Sequence, residues 1–158
     1  MSETIQVVSF KLGSEEYGVD IAQVQEINRM VAVTHVPRAP QFMEGVINLR
    51  GQLIPIIDLR ARFGMPRTEH TKNTRIVVTE IGTKRVGMVV DSVSEVLRLP
   101  VDQIEPAPEM ITGVDTEYIR GVGKIEDRLI ILLDLAKIIT GSEKRELESS
   151  DVEAVAAA

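Results

Sequence analysis

The sequence predicts a mainly β protein built as two small five-stranded barrels, with short helical turns and a C-terminal helix or tail. Three features point there: the chain contains itself twice, each copy is a series of short β-branched runs broken by glycine or polar pairs, and 158 residues leave little chain per copy. Five short strands cannot bury two faces as an open sheet, so curling each set into a barrel is the economical solution.

The repeat is read first, because missing one miscalls the fold. Sliding GVINLRGQLIPIIDL forward by 76 residues lays Gly45-Val46 on Gly121-Val122, Leu53-Ile54 on Leu129-Ile130 and Asp58-Leu59 on Asp134-Leu135, without a gap. A shift of 69 lays VSFKLGSEEYGVDIAQVQEI on VVTEIGTKRVGMVVDSVSEV, pairing Val8 with Val77, Gly13 with Gly82, Gly18 with Gly87, Val24 with Val93 and Glu26 with Glu95. VDQIEPAPEMITG, with two prolines, is the place for the longer loop that absorbs the difference.

Each copy reads alike in order. Runs at 7–12 and 17–21 flank a GSEE hairpin turn, and runs at 76–81 and 86–90 flank GTKR. A further strand follows around 25–31 and around 95–99. Residues 46–49 and 52–57 then flank Arg50-Gly51, while 119–125 and 128–133 flank Glu126-Asp127, each a turn pair. Pro55 has no N–H for a ladder, so its strand is expected at an edge or bulged there. Residues 59–63 and 135–139 read as a closing helical turn in each copy. Residues 1–141 thus read as one domain, with a first subdomain at about 13–70 and a second at about 71–141. Residues 142–158 form an acidic, alanine-rich tail, helical or frayed.

Composition narrows the function. Hydrophobic residues make up 44% and charged ones 27%, the balance of a soluble domain. Without cysteine there is no disulfide framework, thiolate nucleophile or Cys-ligated zinc. MSETIQVVSF lacks the basic flank and apolar stretch of a signal peptide, and no aliphatic run approaches a membrane span, so a cytoplasmic protein is expected. A net charge of −6 with five Phe and Tyr and no Trp argues against a nucleic-acid surface.

The search for chemistry yields little. His35 precedes Val36-Pro37, and His70 sits in a polar linker; neither shares a helical face with another ligand. GVGK at Gly121 lacks the spacing of a phosphate loop, and no GxSxG occurs. Asp20, Asp58, Asp91 and Asp134 each end a strand before a short helical turn, where capping is the favoured role, although a carboxylate pair meeting in space stays open. No catalytic residue, metal site or cofactor is expected. The copies disagree at one telling place: Arg50 is matched by Glu126, so the fold does not demand arginine at that hairpin tip.

EEYGVDIAQVQEI, FMEGVINLRGQLIPIIDLR, RVGMVVDSVSEVL, DQIEPAPE and DRLIILLDL, in that order from about Val7 to Ile139, resemble the CheW family of bacterial chemotaxis coupling proteins. The resemblance implies two SH3-like barrels side by side, with the N-terminal strand packed into the second, and a non-catalytic adaptor. Its partners would be a chemoreceptor cytoplasmic tip, the regulatory domain of the histidine kinase CheA and, in arrays, the protein itself, with the protein cytoplasmic but recruited to membrane receptor arrays. The receptor-facing groove between the barrels would include Val24, Ile27, Val31, Val33, Phe42, Gly45, Val46 and Asn48. The family's Glu–Arg pair falls on Glu26 and Arg50, and since Arg50 has no copy, such a pair is expected only in the first barrel. Kinase contacts are expected on the second barrel's aliphatic edge, at Val86, Met88, Val90, Val96, Leu97 and Leu99. An adaptor of a different receptor array, or a ligand-binding or enzymatic cleft between the barrels, are the competing readings.

Overall fold

The computed structural model describes residues 3–38, 43–66, 68–106 and 118–138. In chain order these form β1 (Thr4–Leu12), β2 (Glu15–Asp20), β3 (Val24–Arg29), β4 (Met43–Leu49), β5 (Gln52–Asp58), α1 (Leu59–Arg62), β6 (Arg75–Ile81) and β7 (Lys84–Val90). Then follow β8 (Ser92–Pro100), the two-residue β9 (Ile104–Glu105), β10 (Ile119–Ile125), β11 (Arg128–Leu133) and α2 (Leu135–Ile138). The mainly β expectation holds, and the predicted hairpins fall where the turn residues placed them. The tail lies outside the described residues.

Two sheets organise the strands, in the orders β8-β1-β2-β11-β10-β9 and β3-β6-β7-β5-β4. In each, the two end strands are joined by a short stretch of chain, which curls the sheet on itself. In the five-stranded sheet, Thr34 and Val46 exchange backbone hydrogen bonds of 2.9 Å each way, bringing the segment after β3 onto β4. In the other, a single 3-10 turn at Val101–Gln103 leads from β8 to β9.

β1 lies in the second sheet, as expected of the N-terminal strand, but the sheets do not divide the chain near residues 13 and 70. Hairpin β1–β2, from the first copy, lies in the sheet of the second; hairpin β6–β7, from the second copy, lies in the sheet of the first. The copies have exchanged their opening hairpins. The junctions are equivalent parallel pairings: Ile56↔Gly87 in one sheet and Leu132↔Gly18 in the other. The glycines shared by the two copies are explained here. A Cβ on Gly87 would lie 2.5 Å from Ile56 Cδ1, and one on Gly18 3.1 Å from Ile130 Cγ2, so the aliphatic side chains of the parallel partner occupy that space.

β5 lies inside its sheet, between β7 and β4, with no register shift at Pro55, so the expected edge or bulge is not found there. Val46 spends its N–H and C=O on Thr34, so the opposed Pro55 is a non-hydrogen-bonded partner. The β5–β7 ladder begins one residue later, at Ile56, and the missing donor leaves no gap.

Burial divides into three clusters. Ile47, Ile54, Ile56, Ile76, Val78 and Val89 fill the first barrel, and Val7, Leu97, Leu99, Ile130 and Leu132 fill the second. The largest lies between the sheets and draws on both, with Phe10, Leu12, Tyr17, Ile57, Leu59, Met88 and Leu135 at 0–1% exposure. Each such side chain contributes about 1.5–3 kcal/mol. Phe10, Tyr17, Phe63 and Tyr118 run through it as a row with ring centroids 5.9–6.0 Å apart, and Arg62 covers the far end, 4.6 Å from the Tyr118 ring centre. Burial, with the neighbouring Glu15 carboxylate in support, pushes the Tyr17 phenol well above its ordinary pKa, so it stays neutral.

Candidate functional site

The hairpin tip between β4 and β5 is a two-residue loop. Arg50 has φ 51° and Gly51 φ 85°, the double left-handed pattern of the turn that matches strand twist. Asn48 fastens it: its side-chain oxygen accepts from the Gly51 N–H at 2.9 Å. Arginine is not the residue this conformation favours, because a Cβ crowds the following carbonyl.

From that tip the Arg50 guanidinium reaches Glu26 on β3 and forms an ion pair, with the arginine side chain 71% exposed and the glutamate 26%. Alternation along β3 puts Val24, Glu26 and Asn28 half in shelter and Gln25, Ile27 and Arg29 outward. The hydrogen bond from Arg50 holds the Glu26 carboxyl below its usual range, with the Arg85 charge adding to it. Arg85 itself bonds Gln52, so β3, β5 and β7 meet in one polar cluster around the tip.

Of the residues singled out with this pair, Ile27 is 40% and Val31 48% exposed, Asn48 is exposed, and Val24 and Val33 are half-buried. Phe42 lies outside the described residues. Gly45 and Val46 are corrections, since both are buried. Gly45 has φ 151°, and a Cβ there would stand 2.2 Å from Thr34 O. Its role is to let the segment after β3 close onto β4. Val46 packs into the central cluster at 2% exposure. The seam between the sheets is filled by that cluster, and the exposed members of the set lie on the first barrel's outer surface instead.

The second set is corrected more heavily. Val86, Met88 and Val90 are 3%, 1% and 1% exposed, because that face of β7 packs into the central cluster between the sheets. Leu97 and Leu99 point into the second barrel. Only Val96 of that set stands out, at 51%. VGMVV is a continuous apolar run, the mark of a strand covered on both faces, and that signal was available in the sequence.

The expectation of a Glu–Arg pair in one barrel alone is also overturned. Glu95, the copy of Glu26, pairs with Arg128 at 3.1 Å, and Arg128 also binds Glu16. Arg128 starts β11, two residues beyond the position equivalent to Arg50, so aligning tip residues alone could not find it.

The capping aspartates divide. Asp20 accepts from the Ala22 N–H at 2.9 Å, and Asp58 from those of Arg60 and Ala61 at 2.9 and 3.4 Å. Asp91 does something else: it accepts two bonds from Arg60, at 2.8 and 2.5 Å, and one from the Gly13 N–H at 2.8 Å. The Arg60 hydrogen bond keeps its carboxyl below the usual range. Three stretches distant in sequence are pinned at that point. Among the described residues no group of three His, Asp or Glu is placed to hold a metal ion.

The CheW-like domain family matches residues 6–143. The chemotaxis protein CheW of Klebsiella aerogenes is 46% identical over 134 residues, covering 85% of this chain and 81% of that protein. CheW of Rhizobium meliloti is 38% identical over 139 residues, covering 88% and 90%. Among solved structures, the scaffolding protein TtCheW from Thermoanaerobacter tengcongensis superposes with a TM-score of 0.84 at 38% identity, covering 93% of this chain and 95% of that one. The chain belongs to the CheW family.

Proposed function

We propose that this protein is a non-catalytic adaptor of bacterial chemotaxis, coupling the cytoplasmic tip of a chemoreceptor to the regulatory domain of the histidine kinase CheA. The observation that carries this reading is the exposed pair Ile27 and Val31 beside the Glu26–Arg50 bridge: an apolar strip next to a fixed, exposed cation. An amphipathic helical hairpin fits such a surface, its apolar face on the strip and an acidic or carbonyl group at the guanidinium.

The kinase contact is assigned to the second barrel around Val96, whose exposed side chain stands beside Glu95 on β8. With the partners on different barrels, the rigid central cluster fixes their relative placement. A scaffold shifts a kinase equilibrium only by the difference between its contacts in the active and inactive states. Among the described residues no helix is long and apolar enough to cross a membrane, and recruitment to membrane arrays would come through the receptor.

The test is a pull-down of the purified protein against a receptor cytoplasmic fragment and, separately, the CheA regulatory domain. Both are retained under this reading; folded protein that retains neither refutes it.

A further inference from the structure

Where β3 and β6 meet the solvent, three cations stand together. Arg29 and Arg75 are direct partners in the β3–β6 register, and Lys72 belongs to the turn that leads into β6. With Met30, Thr71 and Asn73 they line an open depression of about 540 Å³. Like charges facing across a ladder are destabilising. Among the described residues none of the three forms an ion pair, in a chain where 24 acidic side chains outnumber 18 basic ones.

The depression is also braced. Arg75 Nη1 donates to the carbonyls of Lys72 and Thr74 at 2.8 and 2.9 Å, holding the guanidinium against the turn with its other N–H groups unspent among the described residues. The Thr71 N–H donates to Thr74 Oγ1 at 2.8 Å, the Asn73 N–H to Thr71 Oγ1 at 3.1 Å, and the Thr74 N–H to Thr71 O at 3.2 Å. A guanidinium fixed in this way presents paired donors in the geometry of a phosphoryl oxyanion, and a neighbouring lysine adds a mobile point charge.

We propose that this depression is an anion-binding site for the phosphoryl group of a small soluble compound carrying two or more negative charges, held between Arg29, Lys72 and Arg75. The site is independent of the adaptor reading. The alternative role for such cations is to guard an edge strand against pairing with another chain, and that role predicts no saturable ligand.

The test titrates inorganic pyrophosphate into the full chain while NMR follows the amides of residues 29 and 71–75, with Tm measured in parallel. Sodium chloride at matched ionic strength is the control. Saturable shifts at those amides and a Tm that rises with ligand concentration support the site. In the exposed-residue variant Arg29→Gln/Lys72→Gln, binding weakens by about tenfold or more. Equal shifts with sodium chloride, shifts that never saturate, or undiminished binding by a folded variant would overturn it. A third arm uses hexaglutamate; tighter binding of that peptide than of pyrophosphate refutes the phosphoryl assignment in favour of an acidic polypeptide.

Discussion

Arg128 donates to Glu95 at 3.1 Å while also holding Glu16, so the second barrel has its own glutamate–arginine bridge at the strand equivalent to that of Glu26. The two bridges are built differently. Arg128 lies within a strand, is 38% exposed and serves two carboxylates from β2 and β8, tying the exchanged hairpin to its adopted sheet. Arg50 lies at a turn, is 71% exposed and serves one. The first looks inward to the fold, and the second leaves most of its guanidinium for a partner.

From that contrast, Arg50→Glu should leave Tm within about 1–2 °C of the parent, as expected of a highly exposed pair, yet abolish receptor-stimulated CheA activity. Arg128→Ala should lower Tm by about 2–4 °C. Calorimetry and a reconstituted phosphorylation assay check the two. Restored stimulation in the Glu26→Arg/Arg50→Glu swap would show that the side chains act as a pair; normal stimulation by Arg50→Glu alone would remove Arg50 from the site.

The architecture was legible because its signals are local. Hairpin turns and β-branched runs sit within a few residues of one another, and the internal repeat needs only the chain laid on itself at shifts of 69 and 76. The exchange of hairpins was not, since it rests on parallel pairings such as Ile56↔Gly87 between remote segments, and the same side chains are buried whether a copy keeps its hairpin or lends it. In the candidate site, Glu26 and Arg50 came from the resemblance and the asymmetry with Glu126, and they meet. Gly45 was not separable: a glycine kept in a partner's path and a glycine needed for closure against Thr34 read identically in one dimension. Asp91 and Arg60, 31 residues apart, gave no spacing signal at all.

Gly45→Ala tests the closure. The added methyl would meet Thr34 O at 2.2 Å in a backbone conformation, φ 151°, that side chains avoid. The segment after β3 would have to lift off β4, losing the Thr34–Val46 bonds. A loss of about 2–4 kcal/mol is expected, read as a shifted denaturant midpoint, with weakened protection of the Thr34 and Val46 amides in hydrogen exchange. An unchanged midpoint would refute the structural assignment and return Gly45 to the candidate surface.

The Arg60–Asp91 clamp makes stability sensitive to acid. Asp91's carboxyl is lowered in the folded state, so its stabilisation is complete above the ordinary carboxylate range, beyond about pH 5, and is lost as pH falls through about 4 and below. At pH 7, Asp91→Asn should cost about 1–2 kcal/mol. That difference between variant and parent should shrink steadily from pH 5 to pH 3. A gap of the same size at pH 3 would mean that the charge on Asp91 contributes nothing and that shape alone holds the corner.

The corrected second surface gives the last prediction. Val96 and Met88 were assigned the same role, but Val96 is 51% exposed on β8 and Met88 is 1% exposed within the central cluster. An arginine at Val96 keeps its charge in water, so Val96→Arg should fold with Tm within about 2 °C of the parent. If the kinase docks there, its affinity for the CheA regulatory domain should fall by about tenfold or more, since an apolar contact is replaced by a charge that must be desolvated. Met88→Arg would bury an unpaired cation and should fail to fold, losing receptor and kinase binding together. Isothermal titration of both partners separates the cases: Val96→Arg must lose the kinase while keeping the receptor fragment, and a folded Val96→Arg that binds the kinase at full strength would place that contact elsewhere on the second barrel.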